Sequence, residues 1–360
     1  MKLHLVGGFL GSGKTTAIAG AARALIASGL RVGVVTNDQG KYLVDTLFMN
    51  HLQIPTVEVG GGCFCCHYDD LDDRLHQLQA TGQPDVIFAE SVGSCADIVA
   101  TVIKPLLSLS HPPTSFSVFA DARLLRQRLL DRPLPFSEDV VYIFDQQIEE
   151  AGMLVINKVD LLSPDDAQDT AERARQRYPE KRIRLQNTLN DDDIAAWLDD
   201  IQGDDPPLSQ ATLDIDYDRY GAGEAALAWL DQSVRITLPD EAALRPALIS
   251  LIERIAAPLE REVVAIGHLK FLIDDGTTPT KISLTTLKQG DWQDGIPTTF
   301  TGDTATLAIN CRAQINAETL HEWVAAAVAH TREEYAGGVF EVSDSAHFHP
   351  AYPRPTHRMI

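Results

Sequence analysis

The stretch "LVGGFLGSGKTT", Leu5 to Thr16, decides how the rest of the chain is read. Gly8 to Thr15 fits the spacing G-x-x-x-x-G-K-[ST], a phosphate cradle when it follows a strand and opens a helix. An apolar run, "LHLVG", leads into it, and a helical pattern from Lys14 to Ser28 leads out. The glycines let backbone N–H groups turn inward around phosphate oxygens, and the helix N-terminus adds its dipole. On this reading Gly8, Gly11, Ser12 and Gly13 line the cradle and Lys14 reaches the β- and γ-phosphates. Thr15 holds Mg2+, and Thr16 touches the α-phosphate.

Outward from the cradle, short apolar runs alternate with helical patterns as far as about residue 200. "LHLVG", "RVGVVT", "DVIFAE", "SFSVFAD", "GMLVINK" and "RIRLQN" read as buried parallel strands. The alternation predicts an α/β fold, a doubly wound and mainly parallel sheet with helices on both faces. The rhythm breaks at "IQGDDPPLSQ", so residues 201–212 are expected to be a linker. Beyond it a bridging helix in "GEAALAWL" is followed by a strand in "SVRITL" and a helix from Asp240 to Ala256. Strands in "EVVAIGHLKFLI", "KISLTTL" and "ATLAINCRA", a helix from Ala317 to Glu334 and a last strand in "GGVFEV" complete the pattern. Residues 213–345 therefore read as a smaller α+β domain of ferredoxin-like type, and 346–360 as an irregular tail.

Thirty Lys and Arg stand against 51 Asp and Glu, a net charge of −21. A field of that sign repels nucleic acid and anionic membrane. Five cysteines are too few and too clustered for a disulfide framework. No apolar run approaches the ~18 residues of a membrane span. The apolar N-terminal stretch is too short for a secretory signal, so the expected location is the cytoplasm, where thiols stay reduced.

Two acidic residues join the cradle. Glu90 ends a buried strand at the edge where such sheets bind ligands, and Asp38 in "TNDQG" ends another. Glu90 is positioned to hold Mg2+, and Asp38 to hold the metal or orient the attacking water. With Lys14 they form the expected catalytic set. "INKVD", Ile156 to Asp160, follows a strand and reads as a guanine site. The Asp160 carboxylate accepts from guanine N1–H and the 2-amino group, a pattern adenine lacks. Asn157 is assigned the opposite edge of the purine, Lys158 its face, and Asn187 a last contact to the base. Hydrolysis without a partner is expected to be slow, since no arginine finger is visible.

"GGCFCC" places Cys63, Cys65 and Cys66 within four positions, after three consecutive glycines. A turn at Gly60-Gly61-Gly62 brings the thiols around one ion, and thiolates suit Zn2+ and similar cations. A redox pair and buried packing are the competing readings. His67 beside the triad, Cys95 in the loop after Glu90, and the pair His347 and His349 are further candidate ligands.

The order of phosphate loop, G-G-G-C-x-C-C, strand ending in Glu and N-K-x-D resembles the CobW-type GTPases, relatives of the urease and hydrogenase nickel-insertion GTPases. "DQQIEEAGMLVINKVDL" and "SVFADA" are similar to the family's stretches around its base motif. The likeness spans residues 1 to about 200 and continues more loosely beyond. It implies GTP-dependent metal handling, with Cys63, Cys65 and Cys66 as the cargo site. Zn2+, Co2+ or Ni2+ would be the cargo and a metalloprotein on the C-terminal domain the client. A homodimer formed on nucleotide or metal binding is an open expectation. Four features depart from the pattern: "NDQG" for N-E-F-G, His67 for a small hydroxyl residue, Val92 and Cys95 in "SVGSCAD", and the lack of the longer histidine-rich tract that many members carry. Two other functions stay open. One is an activator of a corrinoid protein, and the other is a nucleotide-gated thiol sensor.

Overall fold

The computed structural model describes residues 1–38, 44–109, 111–209, 211–277, 279–287 and 291–360, with the Asp38 side chain outside the description. Two compact units emerge. The first comprises Met1–Gln39, Leu52–Glu224 and Tyr352–Ile360, and the second Gly40–His51 and Ala225–Ala351.

The first unit is built on seven parallel strands: β1 (Lys2–Gly8), β2 (Val32–Asp38), β3 (Thr56–Gly60), β4 (Val86–Glu90), β5 (Ser115–Asp121), β6 (Met153–Asn157) and β7 (Arg182–Gln186). Their order is β3-β2-β4-β1-β5-β6-β7. β4, β5 and β6 are buried along their whole length, which is why they read as unbroken apolar runs. β3 was not among the expected strands. It is an edge strand, only partly buried and interrupted by Glu58, so it carries little apolar signal. The helices of this unit are α1 (Lys14–Ala27), α3 (Tyr68–Gly82), α4 (Lys104–Leu109), α5 (Ala122–Leu129), α6 (Glu138–Glu150), α7 (Pro164–Arg177), α8 (Asp191–Gln202) and α9 (Tyr217–Ala225). The chain reverses direction across the sheet at β1, so the carboxyl ends of β1 and β4 open the crevice where such sheets bind ligands.

The second unit is a five-stranded antiparallel sheet of order β10-β9-β11-β8-β12. Its strands are β8 (Ala228–Thr237), β9 (Ile266–Asp274), β10 (Thr280–Leu284), β11 (Thr304–Ala313) and β12 (Val339–Phe348). Helices α10 (Leu244–Arg261) and α11 (Ala317–Glu334) complete two β-α-β crossovers, the ferredoxin-like arrangement with β10 added at one edge. Leu251 and Ile255 of α10 and Val324 of α11 share one core with Phe271 and Ile309. A buried ion pair, Arg312 with Asp231 at 2.8 Å, carries its guanidinium 3.9 Å over the Trp229 ring.

Three boundaries differ from the sequence expectation. Residues 213–224 cluster with the first unit, and α9 ends where the bridging helix was placed. β8 begins at Ala228, five residues before "SVRITL". The tail is partly regular: Ala346, His347 and Phe348 pair with β8, and only from His349 is the chain irregular. Helix α2 (Val44–His51), between β2 and β3 in sequence, packs with the second unit. Its Asp45 pairs with Lys270 and Lys281, its Val44 N–H donates to Asn310 Oδ1, and Val44 and Phe48 cover Leu272 and Ala308.

Glu150 at the end of α6 is fully buried, with Oε1 accepting from the Val99 N–H at 3.3 Å. Burial, with the Asp97 carboxylate nearby, pushes its carboxyl up to about 8 from an ordinary 4.5. Between those values the folded chain holds a proton that the unfolded chain has lost, so stability falls as pH rises. Glu150→Gln keeps an acceptor for Val99 and removes the titration. Its unfolding free energy relative to the unsubstituted chain should grow by about 2–4 kcal/mol from pH 5 to pH 8. Urea unfolding at the two pH values measures this, and a pH-independent difference would contradict it.

Candidate functional site

The loop from β1 to α1 has the strained backbone that only glycine tolerates. Gly8 has φ +123°, and a Cβ there would lie 2.1 Å from the Phe119 carbonyl. Gly13 has φ +96°, and a Cβ there would meet Asn157 Nδ2 at 2.3 Å. Gly13 caps α1 without any side-chain bond, and the first turn carries no acid. The leading N–H groups of α1 therefore face an anion site rather than a capping carboxylate. Lys14 folds back over the loop, donating to the Gly8 carbonyl at 2.7 Å. Ser12 Oγ is buried and has no hydrogen-bond partner among the described residues. Thr15 Oγ1 donates to Glu90 Oε1 at 2.9 Å, so the hydroxyl and the carboxylate assigned to one cation meet across 75 residues of chain. This donor set fits a polyphosphate with a divalent ion. Asp38 ends β2, one strand from Glu90 in the sheet.

At the other end of the crevice, Asn157 is fully buried. Its Nδ2 donates to the Ser12 carbonyl at 2.7 Å, and its Oδ1 accepts from the Thr188 N–H at 3.2 Å. Asn157 thus braces two loops, the phosphate loop and the loop after β7, at the place where the base is expected. Asn187 likewise shapes its own turn, with Oδ1 accepting from the Leu189 N–H at 3.0 Å. Lys158 sits in the left-handed region at φ +63°. Its Nζ lies 3.4 Å from Asp121, and burial lowers its pKa against that carboxylate's pull. Asp160 follows in a 3-10 turn and is exposed, with its carboxylate open to a ligand's donors.

The thiols lie beyond β3. Gly61, at φ +79°, turns the chain, and the Cys66 and His67 N–H groups both bond the Cys63 carbonyl as α3 begins. The sulfurs of Cys63, Cys65 and Cys66 all lie within 4.8 Å of one another. Cys95, from the loop after β4, is a fourth thiol beside Cys63 and Cys65, outside the three-sulfur set. All four are free. Hydrogen bonds from Cys65, Cys66 and Cys95 hold the Cys63 thiol well below its ordinary range. The same contacts raise Cys65 well above it and Cys66 to about 11, while burial raises Cys95. Thiols raised in this way lose their protons more readily to a bound cation than to water. The candidate histidines each have contacts of their own. The His67 ring covers Gly62 and pairs with Asp70 at 3.1 Å. His347 stacks on His321 and bonds Glu318, and His349 Nε2 accepts the Ala317 N–H.

Several positioning residues went unread in the sequence. Asn37 Nδ2 donates to the Val59 and Gly62 carbonyls at 2.9 and 2.7 Å, and its Oδ1 accepts the Phe64 N–H at 2.9 Å. It ties the end of β2 to the thiol loop, and its only sequence signal is a carboxamide at the end of an apolar strand. Gln147 of α6 donates to the Gly93 and Cys95 carbonyls at 3.1 and 2.8 Å, fixing the loop after Glu90. The C-terminal tail lies over the cysteines. The Arg354 N–H reaches Cys66 Sγ at 3.2 Å, the Thr356 N–H the Cys65 carbonyl at 2.9 Å, and Arg358 pairs with Asp97 at 2.7 Å. Nothing in the tail's sequence announces these contacts.

A phosphate loop, a Thr15–Glu90 pair and a thiol cluster on one parallel sheet define a P-loop nucleotide-binding protein with a thiol-rich loop. The model of the CobW/HypB/UreG nucleotide-binding domain matches residues 2–184, just over half of the 360-residue chain, and the chain belongs to that family. It is similar to the zinc chaperone CobW of Sinorhizobium sp., 26% identical over 187 residues that cover 44% of this chain and 51% of that protein. It is also similar to the zinc chaperone YeiR of Escherichia coli strain K12, 29% identical over 177 residues covering 46% and 49%. The chain thus spans about half the length of these relatives. Among solved structures it aligns with the hydrogenase maturation factor HypB of Archaeoglobus fulgidus, at 16% identity and a TM-score of 0.40, over 56% of this chain and 89% of that one. No helix among the described residues is long and apolar enough to cross a membrane.

Asn37→Ala would leave three buried backbone groups of the thiol loop without their partner. Stability should fall by about 1–3 kcal/mol, and Cys63 and Cys65 should react faster with a thiol reagent. Urea unfolding and thiol-labelling rates test this. Unchanged labelling would show that Asn37 does not hold the loop.

Proposed function

We propose that the chain is a GTP-hydrolysing carrier of a transition metal ion, with Zn2+ as cargo and a metalloprotein client docking on the second unit. The observation that carries this reading is the place of the thiols. They are held from one side by Asn37 at the end of β2, next to Asp38. On the other side they meet Cys95, from the loop that follows Glu90. Both segments border the position of a γ-phosphate. The names of the similar chaperones support zinc as the cargo.

In this mechanism Lys14 and the N–H groups of the cradle hold the phosphates, and Asp160 selects guanine. Thr15 and Glu90 would hold Mg2+, which would supply positive charge against the phosphates. Contacts of the γ-phosphate with the Ser91–Asp97 loop set where Cys95 stands. With Cys95 in place the cargo has four thiolates, a closed site; with Cys95 withdrawn it has three and an open position for a client's ligand. Hydrolysis removes the γ-phosphate contacts and so lowers metal affinity. By linkage, bound metal must raise affinity for GTP over GDP by the same factor.

Asp160→Asn should weaken GTP binding by about 100-fold and restore affinity for xanthosine triphosphate, whose 2-oxo group pairs with an amide. Fluorescent-nucleotide titration decides it, and unaltered GTP affinity would remove guanine from the proposal. The thiol shifts give a second outcome. Cys65, Cys66 and Cys95 are raised above the ordinary thiol range, so loading a cation on the sulfurs displaces protons. Co2+ affinity, followed by the sulfur-to-cobalt charge-transfer band, should rise with pH, and less steeply in Cys95→Ala. Cys63→Ala with Cys65→Ala and Cys66→Ala should abolish that band. A band that survives would refute the cargo site.

A further inference from the structure

A second set of ligating atoms converges in the first unit, away from the thiols and the phosphate cradle. Asp72 and His76 stand four residues apart on α3, a spacing that stacks them on one helix face. His111 comes from the segment between α4 and β5, where Pro112 and Pro113 follow it and stiffen the chain. One ligand atom from each of the three lies within 4.8 Å of the others. The two imidazole rings approach to 4.6 Å between centroids, inclined at 62° rather than stacked face to face. His76 Nδ1 is 3.5 Å from Asp72 Oδ2.

The burial pattern points the same way. His76 is exposed and Asp72 half-buried, so an ion can reach them. His111 is only 8% exposed, and its Nε2 is buried with no hydrogen-bond partner among the described residues. A buried imidazole nitrogen normally has a partner, and a bound cation supplies one.

We propose that Asp72, His76 and His111 form a second transition-metal site, built from nitrogen and oxygen donors. Two imidazoles and one carboxylate suit Zn2+, Co2+ or Ni2+ and leave coordination positions open to water. His76 is ten residues past Cys66, about 15 Å along a helix, so the two sites cannot share an ion. Within the carrier reading, this set would hold incoming metal in exchangeable ligands ahead of the thiols. The binding itself stands without that reading.

The test is a Co2+ titration of the full chain under reducing conditions. With Cys63, Cys65, Cys66 and Cys95 all changed to Ser, one equivalent should still bind, giving visible d–d bands and no sulfur-to-cobalt charge transfer. In the unsubstituted chain, His76→Gln at its exposed position should remove one of two equivalents and leave the charge-transfer band intact. Asp72→Asn should do the same. The loss in affinity at this site should exceed the roughly 10–100-fold seen when only an outer-shell partner is removed. Equal stoichiometry in the unsubstituted and His76→Gln chains would overturn the proposal, whether or not the thiol-free chain folds. Loss of the charge-transfer band alone would fault the thiol cargo site and not this one.

Discussion

Two buried carboxamides hold the working edge of the parallel sheet together. Where parallel strands end, their last backbone groups lose their neighbours, and buried polar groups must find partners. Asn157 supplies them between the phosphate loop and the loop after β7. Asn37 supplies them between β2, β3 and the thiol loop. Each amide offers donors and an acceptor at one point, which neither a carboxylate nor a hydroxyl can do in the same geometry. The cradle and the thiols are therefore parts of one hydrogen-bonded edge, and displacement of a strand end is felt at both.

The loop after Glu90 is the tightest element of this edge. Gln147 grips two of its carbonyls, and the Tyr220 hydroxyl accepts its Ala96 N–H. Asp97 accepts from Tyr217 and Arg358, and Glu150 is buried close by with its raised carboxyl. Such a network has few arrangements that satisfy every member, so a change at one end favours a discrete rearrangement over a gradual one. α2 adds a second constraint. The chain leaves β2, forms a helix anchored by Asp45 to Lys270 and Lys281 in the second unit, and returns to β3.

Much of the fold was legible because its signals are local. Fully buried strands appear as apolar runs, and the phosphate loop needs glycine at Gly8 and Gly13 where a Cβ would strike Phe119 or Asn157. β3 was missed because an edge strand needs only partial burial, and "TVEV" shows it. Thr15 at the start of α1 and Glu90 at the end of β4 meet in a hydrogen bond, as two residues assigned to one cation need to be close. The loop-bracing bonds of Asn157 and Asn187 were not legible, because a motif names a residue type while the use of its polar atoms depends on which loops lie within reach.

The sequence by itself determined the nucleotide cradle, the alternation that makes the sheet and the three clustered thiols, since each rests on spacing within a few residues. Tertiary structure alone decided the fourth thiol, the buttress of Asn37, the tail over Cys66 and the meeting of His111 with Asp72 and His76. Each of these joins residues separated by 25 to nearly 300 positions. A polar side chain in isolation shows what bonds it is able to make, and only packing determines which partner it meets.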